Sequence, residues 1–245
     1  MKFLKILILG LILISTVHAN TIYNLIKIPN LEIYKNKSSN GIKYLVANKP
    51  FQVGVRNNNV TCFNSSRKTI DQNFELIEKN FNKYNSKFLK KINLKYVVLC
   101  ENLSVSGISS AGVPNYEMRT LIIDIKFNKK YFERVIHHEI FHLINDSYKY
   151  LFKDLEWKNF NNSNFKYAKC STCSDQLGLS LLNNAKGFLT QYSMSTPSED
   201  MAELFSFLIK DKKMTENMAL KDHVLFKKVS YIKKKILKID KNFKF

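Results

Sequence analysis

The spacing of apolar residues predicts a chain that begins with extended segments and ends in helices. Short apolar runs rich in β-branched and aromatic residues predict strands where turn-forming residues bound them. Such runs lie at Tyr44–Ala47, Phe51–Val55, Leu94–Leu99 and Thr120–Ile125. The polar residues between them predict a turn at Asn57–Asn59 and a Ser/Gly-rich loop over Ser104–Asn115.

Apolar residues three or four positions apart predict helices in the rest of the chain. The first helix begins at a capping-box pattern, Thr69 with Gln72, and its apolar stripe is Phe74, Ile77, Phe81, Tyr84 and Phe88. The other helices cover Lys130–Asp146, Ser198–Lys210 and the basic stretch Lys227–Lys244, and an Asn-rich connection over Tyr150–Cys173 is predicted to be mostly loop. The predicted fold class is therefore α+β, with a small mixed sheet and a largely helical C-terminal part.

The first nineteen residues have the pattern of a signal peptide. Two lysines precede an apolar run over residues 6–14, and small residues at positions 17 and 19 predict cleavage after Ala19. An uncleaved membrane anchor is the alternative, but the run is short for a span. We expect an exported protein, periplasmic or extracellular, with an N-terminal α/β lobe over residues 20–92 and a second region over residues 93–245, or both as one continuous domain.

Charge and cysteines refine this picture. The net charge is +19, or +17 without Lys2 and Lys5, and favours anionic partners such as an envelope surface. The lysines are spread along the chain, however, so a simply solvated surface explains them as well. The apolar stripe of the basic C-terminal stretch, from Leu225 to Ile239, is expected to pack on the domain. Aromatic residues lie on core stripes, so nucleic acid is not an expected partner.

Four cysteines in an exported chain predict two disulfides. The preferred pairing joins Cys62 to Cys100, and Cys170 to Cys173 as a local link. A structural zinc knuckle would need a second C-x-x-C motif. A redox C-x-x-C would need a surrounding βαβ pattern, and the sequence has neither.

The strongest chemical signal is the motif H-E-x-x-H at His138, Glu139 and His142. Two histidines four apart share one helix face and can bind zinc, while the glutamate between them can act on a water molecule. A buried core histidine pair is the alternative. It would leave Glu139 buried without an obvious cation.

A catalytic zinc needs a third protein ligand, for which Glu199 is the candidate. Glu199 and Glu203 are four apart and face the same side of a predicted helix. One of them can bind the metal while the other accepts the second N–H of a liganding histidine. A solvated acidic first turn explains Asp200 but fits this pair poorly, because Leu204 and Phe205 follow it.

The segment Gly187–Glu203 resembles the third-ligand region of gluzincin peptidases related to the anthrax lethal factor catalytic domain. It is similar to the same region of secreted bacterial zinc-binding metallopeptidases. In those proteins a tyrosine stands seven residues before the liganding glutamate and an Ala-Glu pair closes the motif, as Tyr192 and Ala202-Glu203 do here. The resemblance covers about Thr120–Lys210, including a connection at Trp157–Tyr167 that is similar to one in the bacterial group.

This chain departs from lethal factor at Ile140-Phe141, where that protein has a bulky residue and a glycine, and in a longer spacing from His142 to Glu199. These departures leave the metal site intact but do not extend the resemblance to the substrate. The resemblance implies a zincin-like fold in which the sheet packs on the helix that carries the motif. It makes residues 93–245 the catalytic region.

The sequence thus predicts a secreted endopeptidase with one catalytic Zn²⁺ held by His138, His142 and Glu199. Glu139 would be the general base in the hydrolysis of a protein or peptide. Tyr192 would donate a hydrogen bond to the oxyanion that develops on the substrate. Such a hydrogen bond can stabilise the transition state by about 2–4 kcal/mol. Glu203 would orient His138 or His142.

Two alternatives stay open, and so does the substrate's binding mode. One is an inactive, basic protein on a zincin scaffold that binds the envelope or another polyanion. The other is a metal-dependent hydrolase of a non-peptide bond in the envelope. If the strand Thr120–Ile125 lies at the sheet edge, an extended substrate can pair with it.

Overall fold

The computed structural model describes residues 31–35, 38–54, 59–173, 177–184 and 186–245. The predicted signal peptide, Val55 and the first two residues of the predicted turn at Asn57–Asn59 lie outside this part of the chain. No helix among the described residues is long and apolar enough to cross a membrane.

The described strands form one mixed, curled sheet built around a long central strand. The strands are β1 (Leu31–Lys35), β2 (Lys43–Ala47), β3 (Phe51–Val53), β4 (Val60–Phe63), β5 (Tyr96–Val105), β6 (Ile108–Ser109), β7 (Gly112–Asn115) and β8 (Thr120–Asp124). The first half of β5 lies between β2 and β8 and is parallel to both. Its second half pairs antiparallel with β4 and β6. β1 lies beyond β2, β7 beyond β8 and β3 beyond β4.

Two helices lie between β4 and β5 in the chain, and the others follow β8. The helices are α1 (Arg67–Phe81), α2 (Ser86–Lys91), α3 (Lys129–Ser147), α4 (Asp154–Lys158), α5 (Pro197–Lys210), α6 (Lys212–Ala219) and α7 (His223–Ile239), with a 3₁₀ turn at Tyr192–Met194. The mixed α+β class and the helical C-terminal part are therefore as predicted.

Alternation along the strands separates two hydrophobic cores. Val97 and Leu99 of β5 face the main core, which lies between the sheet and the helices. Val98 and Cys100 face a smaller core that β3 and β4 complete. Successive strand residues point to opposite faces, so one apolar run can serve both cores. The boundary predicted between residues 92 and 93 stays a prediction, although strands on both sides of it belong to one sheet.

Several predicted elements are wrong in their extent. The predicted first helix is two helices, and its N-cap is Ser66, whose hydroxyl accepts from the Thr69 N–H at 3.1 Å. The basic C-terminal helix begins earlier, at His223, because Asp222 caps it through the Leu225 N–H. It also ends earlier, at Ile239, rather than continuing to Lys244.

The predicted loop over Ser104–Asn115 contains the end of β5, all of β6 and all of β7. Its serines and glycine form a tight hairpin, since Ser106 and Gly107 have φ angles of 51° and 81°. Two consecutive positive φ angles are what a two-residue hairpin turn of type I′ requires. β8 pairs with β5 on one side and with β7 on the other, so the condition that Thr120–Ile125 lies at the sheet edge is not met.

Two disulfides are present, Cys62–Cys100 and Cys170–Cys173. The first joins β4 to β5 inside the smaller core. The second closes a turn in the long connection between α4 and α5, where the Cys173 N–H also donates to the Cys170 carbonyl at 3.2 Å. This is the pairing that the sequence analysis preferred.

Candidate metal centre

Helix α3 places His138 and His142 one turn apart on one face. Asn128 caps the helix by accepting from the Lys130 N–H at 3.0 Å. Ile136 and Ile140, on other turns of the helix, are buried in the main core. This packing fixes the rotation of the helix, and with it the direction of both imidazoles.

Helix α5 brings a carboxylate to the same point. Its N-cap, Thr196, accepts from the Glu199 N–H at 3.2 Å, and Pro197 occupies the first helical position. Glu199 therefore lies in the first turn, where the helix dipole favours a negative charge. Glu203 lies one turn further along the same face.

Three side-chain atoms converge between the two helices. Glu199 Oε2 is 2.9 Å from His138 Nε2 and 3.4 Å from His142 Nε2. The two imidazole Nε2 atoms are 3.1 Å apart. Potential ligand atoms of His138, His142 and Glu199 all lie within 4.8 Å of one another. The structure thus brings together the three residues that the sequence proposed as ligands.

The hydrogen bonds around His138 show that the convergent atoms suit a cation. Glu203 Oε1 is 3.0 Å from His138 Nδ1, and an ionised carboxylate can only accept, so Nδ1 carries the proton. In the neutral imidazole the lone pair of Nε2 then faces the Glu199 carboxylate. Only a second proton or a metal ion can lie between two such groups, and two imidazoles with one carboxylate form a donor set that zinc prefers.

The pKa values agree with this picture. Burial lowers the pKa of His138, but the hydrogen bonds and charges of Glu199 and Glu203 outweigh it and raise the value to about 10. Burial opposes ionisation of Glu199, yet the neighbouring His142 and His138 hold the pKa of its carboxyl well below the usual range. Both shifts favour a positive charge at the point where the three side chains meet.

Glu203 itself is held by residues that the sequence analysis missed. The Arg134 guanidinium forms an ion pair with Glu203 Oε2, and both side chains are almost fully buried. The same guanidinium donates to the Leu179 carbonyl at 2.7 Å, and the Thr190 hydroxyl donates to Glu203 Oε2 at 2.7 Å. The available signal was an arginine four residues before His138, on the same helix face.

Glu139 and Tyr192 lie beside the three convergent residues. The Glu139 side chain packs against Gly112 of β7, where an added Cβ would come within 2.6 Å of Glu139 Cγ. Burial raises the pKa of Glu139, and the charges of His138 and His142 lower it. The Tyr192 ring centroid is 5.9 Å from that of His138. Burial, then the charges of Glu199 and Glu139, raise the pKa of Tyr192. The catalytic roles of both residues stay predictions.

The remaining histidines nearby have other partners. His142 Nδ1 lies 3.4 Å from the Ser198 hydroxyl. Of the two histidines that Glu203 was predicted to orient, it therefore contacts His138. His137 is fully buried, and its Nδ1 is 2.8 Å from the Tyr84 hydroxyl. His137 therefore belongs to the core, although it lies in the same run of histidines.

A known protein family matches the part of the chain that contains all three convergent residues. A family model described as "Putative zinc-binding metallo-peptidase" matches residues 101–243, more than half of the chain. No curated protein matches the sequence. One similar structure is the crystal structure of a putative zinc-binding metallo-peptidase from Bacteroides caccae ATCC 43185 at 2.10 Å resolution. It has 19% sequence identity and a TM-score of 0.43, with 70% of this chain and 67% of that chain covered.

Proposed function

Because this chain belongs to the family of putative zinc-binding metallo-peptidases, we propose that it is a zinc-dependent endopeptidase of the gluzincin type, with a zincin-like fold. The observation that carries the proposal is the convergence of His138, His142 and Glu199. The proposal is also supported by the Glu203 carboxylate, which contacts His138 Nδ1, the imidazole nitrogen that does not face Glu199. A carboxylate in that position fixes the tautomer and orientation of a liganding histidine.

His138, His142 and Glu199 would hold one Zn²⁺, which supplies Lewis-acid activation of water and of the scissile carbonyl when bound. Glu139 follows His138 on the same helix, and its carboxylate would accept the proton of the attacking water. It would then pass that proton to the leaving amine. The raised pKa of Glu139 suits a group that must both take and give a proton near neutral pH.

Tyr192 would donate a hydrogen bond to the developing oxyanion. Its hydroxyl stays protonated across the working pH range, because burial and the nearby carboxylates raise its pKa. The 3₁₀ turn is held in place by the Tyr192 N–H, which donates to the Gly178 carbonyl at 3.1 Å. Arg134 and Glu203 would act only by holding His138 in place.

An extended peptide substrate would pair with β7, the strand that lies beside Glu139. The Asp124 N–H donates to the Ala111 carbonyl at 3.0 Å, and paired residues alternate in an antiparallel ladder. The main-chain groups of Gly112 and Pro114 therefore point away from β8. Since Pro114 has no N–H, the substrate would meet fewer donors here than along an ordinary edge.

We also propose that the protein acts outside the cytoplasm, on a protein or peptide. The predicted signal peptide supports export, and the Cys62–Cys100 and Cys170–Cys173 disulfides are typical of oxidising compartments. An anionic envelope surface is a further proposed partner, on the grounds of the net charge.

Zinc content tests the proposal. The mature protein, a Glu199→Ala variant and a Glu216→Ala control are purified and analysed by mass spectrometry for metal. Glu216 is a half-exposed glutamate that pairs with Lys233. We expect about one zinc per chain in the wild type and the control, and a sharp loss in Glu199→Ala.

Turnover of a peptide library then tests the chemistry. Glu139→Gln should keep the zinc and lose cleavage, because an amide cannot accept the proton. A wild type that stays free of zinc after incubation with the metal would contradict the proposal. It would favour the reading of an inactive, basic envelope-binding protein. A zinc-loaded protein that cleaves no peptide would favour a non-peptide substrate.

A further inference from the structure

Asp200, the residue after Glu199, is the centre of a buried polar cluster that the proposed reaction does not use. Its Oδ2 accepts from Trp157 Nε1 at 2.8 Å, from the Tyr167 hydroxyl at 2.6 Å and from Lys228 Nζ at 2.7 Å. Asp200 is 2% exposed, and Trp157 and Lys228 are fully buried. We call these four residues the Asp200 cluster.

The donors of the Asp200 cluster come from three separate parts of the chain. Trp157 belongs to α4, Tyr167 to the long connection that follows it, and Lys228 to α7. Lys228 also donates to the Gly187 carbonyl at 2.8 Å and lies 3.8 Å from the centre of the Phe188 ring. The first turn of α5 is thereby tied to α4, to the connection after α4 and to α7.

Stability alone is a poor explanation for this cluster. Asp200 and Lys228 form an ion pair with both side chains out of contact with water. The desolvation of two buried charges commonly offsets their attraction, and apolar residues of similar volume often stabilise a protein as well or better. Apolar contacts are not directional, so they do not fix the position of a single atom. Three hydrogen bonds to one carboxylate oxygen do fix the position of that oxygen.

The geometry connects this fixed point to the metal centre. Asp200 contacts Trp157 on one side of the first turn of α5, while Glu199 contacts His138 on another. Rotating the turn by about 10° would move a carboxylate about 6 Å from the helix axis by about 1 Å. Metal–ligand distances tolerate only about 0.2 Å. Small rotations of this turn therefore decide whether Glu199 reaches the other two ligands.

We propose that Asp200 is a positioning residue of the metal centre, which holds the first turn of α5 so that Glu199 is directed at His138 and His142. This inference rests on the proposed function, since it concerns the same three ligands. It assigns a reason for an ion pair that lies outside the site, between α5 and α7.

Zinc affinity, measured by competition with a chromogenic chelator, tests the inference without reference to activity. In Asp200→Asn the amide oxygen can take the place of Oδ2, but it carries no charge, so its hydrogen bonds to the three donors weaken and the Lys228 charge is left buried without an anion. We expect zinc to bind about ten- to a hundredfold more weakly, as is usual when groups that support metal ligands are removed. The visible absorption of the cobalt-substituted protein should change as well, because the geometry of the ligands changes.

Two further variants separate positioning from a general loss of stability. Asp200→Leu combined with Lys228→Met removes the shared acceptor without leaving a buried charge unpaired. Trp157 and Tyr167 lose a hydrogen bond each, but neither is charged, so we expect this variant to fold even if Asp200→Asn does not. It should still bind zinc weakly. Ile232→Val is the matched control, because Ile232 is fully buried one turn after Lys228 on α7. It should lower the melting temperature and leave zinc affinity unchanged.

The outcomes distinguish the inference from the proposed function. If the wild type binds no zinc, both fall. If the wild type binds zinc and the Asp200 variants bind it equally, with the same cobalt spectrum, only the inference falls. An equal loss of affinity in Ile232→Val would also overturn it, because the effect would then follow stability rather than the position of Glu199.

Discussion

Gly112→Ala is the substitution that most directly tests the position of Glu139. Gly112 lies in β7, and a Cβ built there would come within 2.6 Å of Glu139 Cγ and 3.2 Å of Glu139 Cδ. The same Cβ would be 3.3 Å from the Ile122 carbonyl oxygen. The Ile122 carbonyl belongs to the central part of the sheet, so it is the Glu139 side chain that must move.

The size of the displacement follows from these contacts. Bringing two carbons from 2.6 Å to an ordinary contact of 3.4 Å requires a movement of about 0.8 Å. A misplacement of about 1 Å in a catalytic group can cost about a hundredfold in rate. We therefore expect kcat/KM to fall by about 10- to 100-fold, which corresponds to about 1.4–2.7 kcal/mol of transition-state stabilisation. Zinc content should not change, because the three atoms nearest to the new methyl group belong to Glu139 and Ile122 and none of them to a proposed metal ligand.

The assay is cleavage of a peptide library by the zinc-loaded protein, with zinc content measured on the same samples. Val113→Ala serves as the control in the same strand, since residue 113 points to the other face of the sheet from residue 112. Full activity in Gly112→Ala, with the zinc in place, would refute the reasoning. Either Glu139 would not be the base, or its position would not depend on the contact with β7.

The remaining predictions concern Tyr192, Arg134 and the buried disulfide. Tyr192→Phe should lower kcat by about 10²–10³ and leave zinc content unchanged, whereas loss of zinc would show that the role of Tyr192 is misassigned. Arg134→Leu leaves the Glu203 charge buried without its ion-pair partner and should lower the free energy of unfolding by about 3–5 kcal/mol in urea titrations. A loss below about 1 kcal/mol would contradict that reading. Removing the Cys62–Cys100 disulfide, which closes a 38-residue separation, should cost about 4 kcal/mol. A much smaller loss in the same titration would mean that the reduced chain stays ordered there.

Local signals in the sequence were sufficient to predict the two helices that carry the proposed metal ligands. The helix that carries His138 was predicted within one residue at each end, because its apolar period is unbroken over five turns. The helix that carries Glu199 was predicted equally well, because Thr196-Pro197 marks its start. Spacing alone then placed His142 and Glu203 on the correct helix faces.

Features that depend on distant partners were not predictable in this way. The hairpin at Ser106-Gly107 looked like a loop, since serine content outweighs the weak alternation of short strands. Arg134 and Asp200 looked like ordinary charged residues on helices. Their roles depend on Glu203 and Lys228, which are 69 and 28 residues away in sequence.

The central strand β5 has a consequence for how the chain can be divided. The part that matches the family model begins at residue 101, in the middle of β5. A fragment cut there would lose the half of the strand that pairs with both β2 and β8. The edge of β8 would then carry unsatisfied main-chain groups, a surface that promotes aggregation. Expression of residues 101–245 by itself should therefore yield insoluble protein, because Tyr96–Cys100 serve as the template on which β8 pairs.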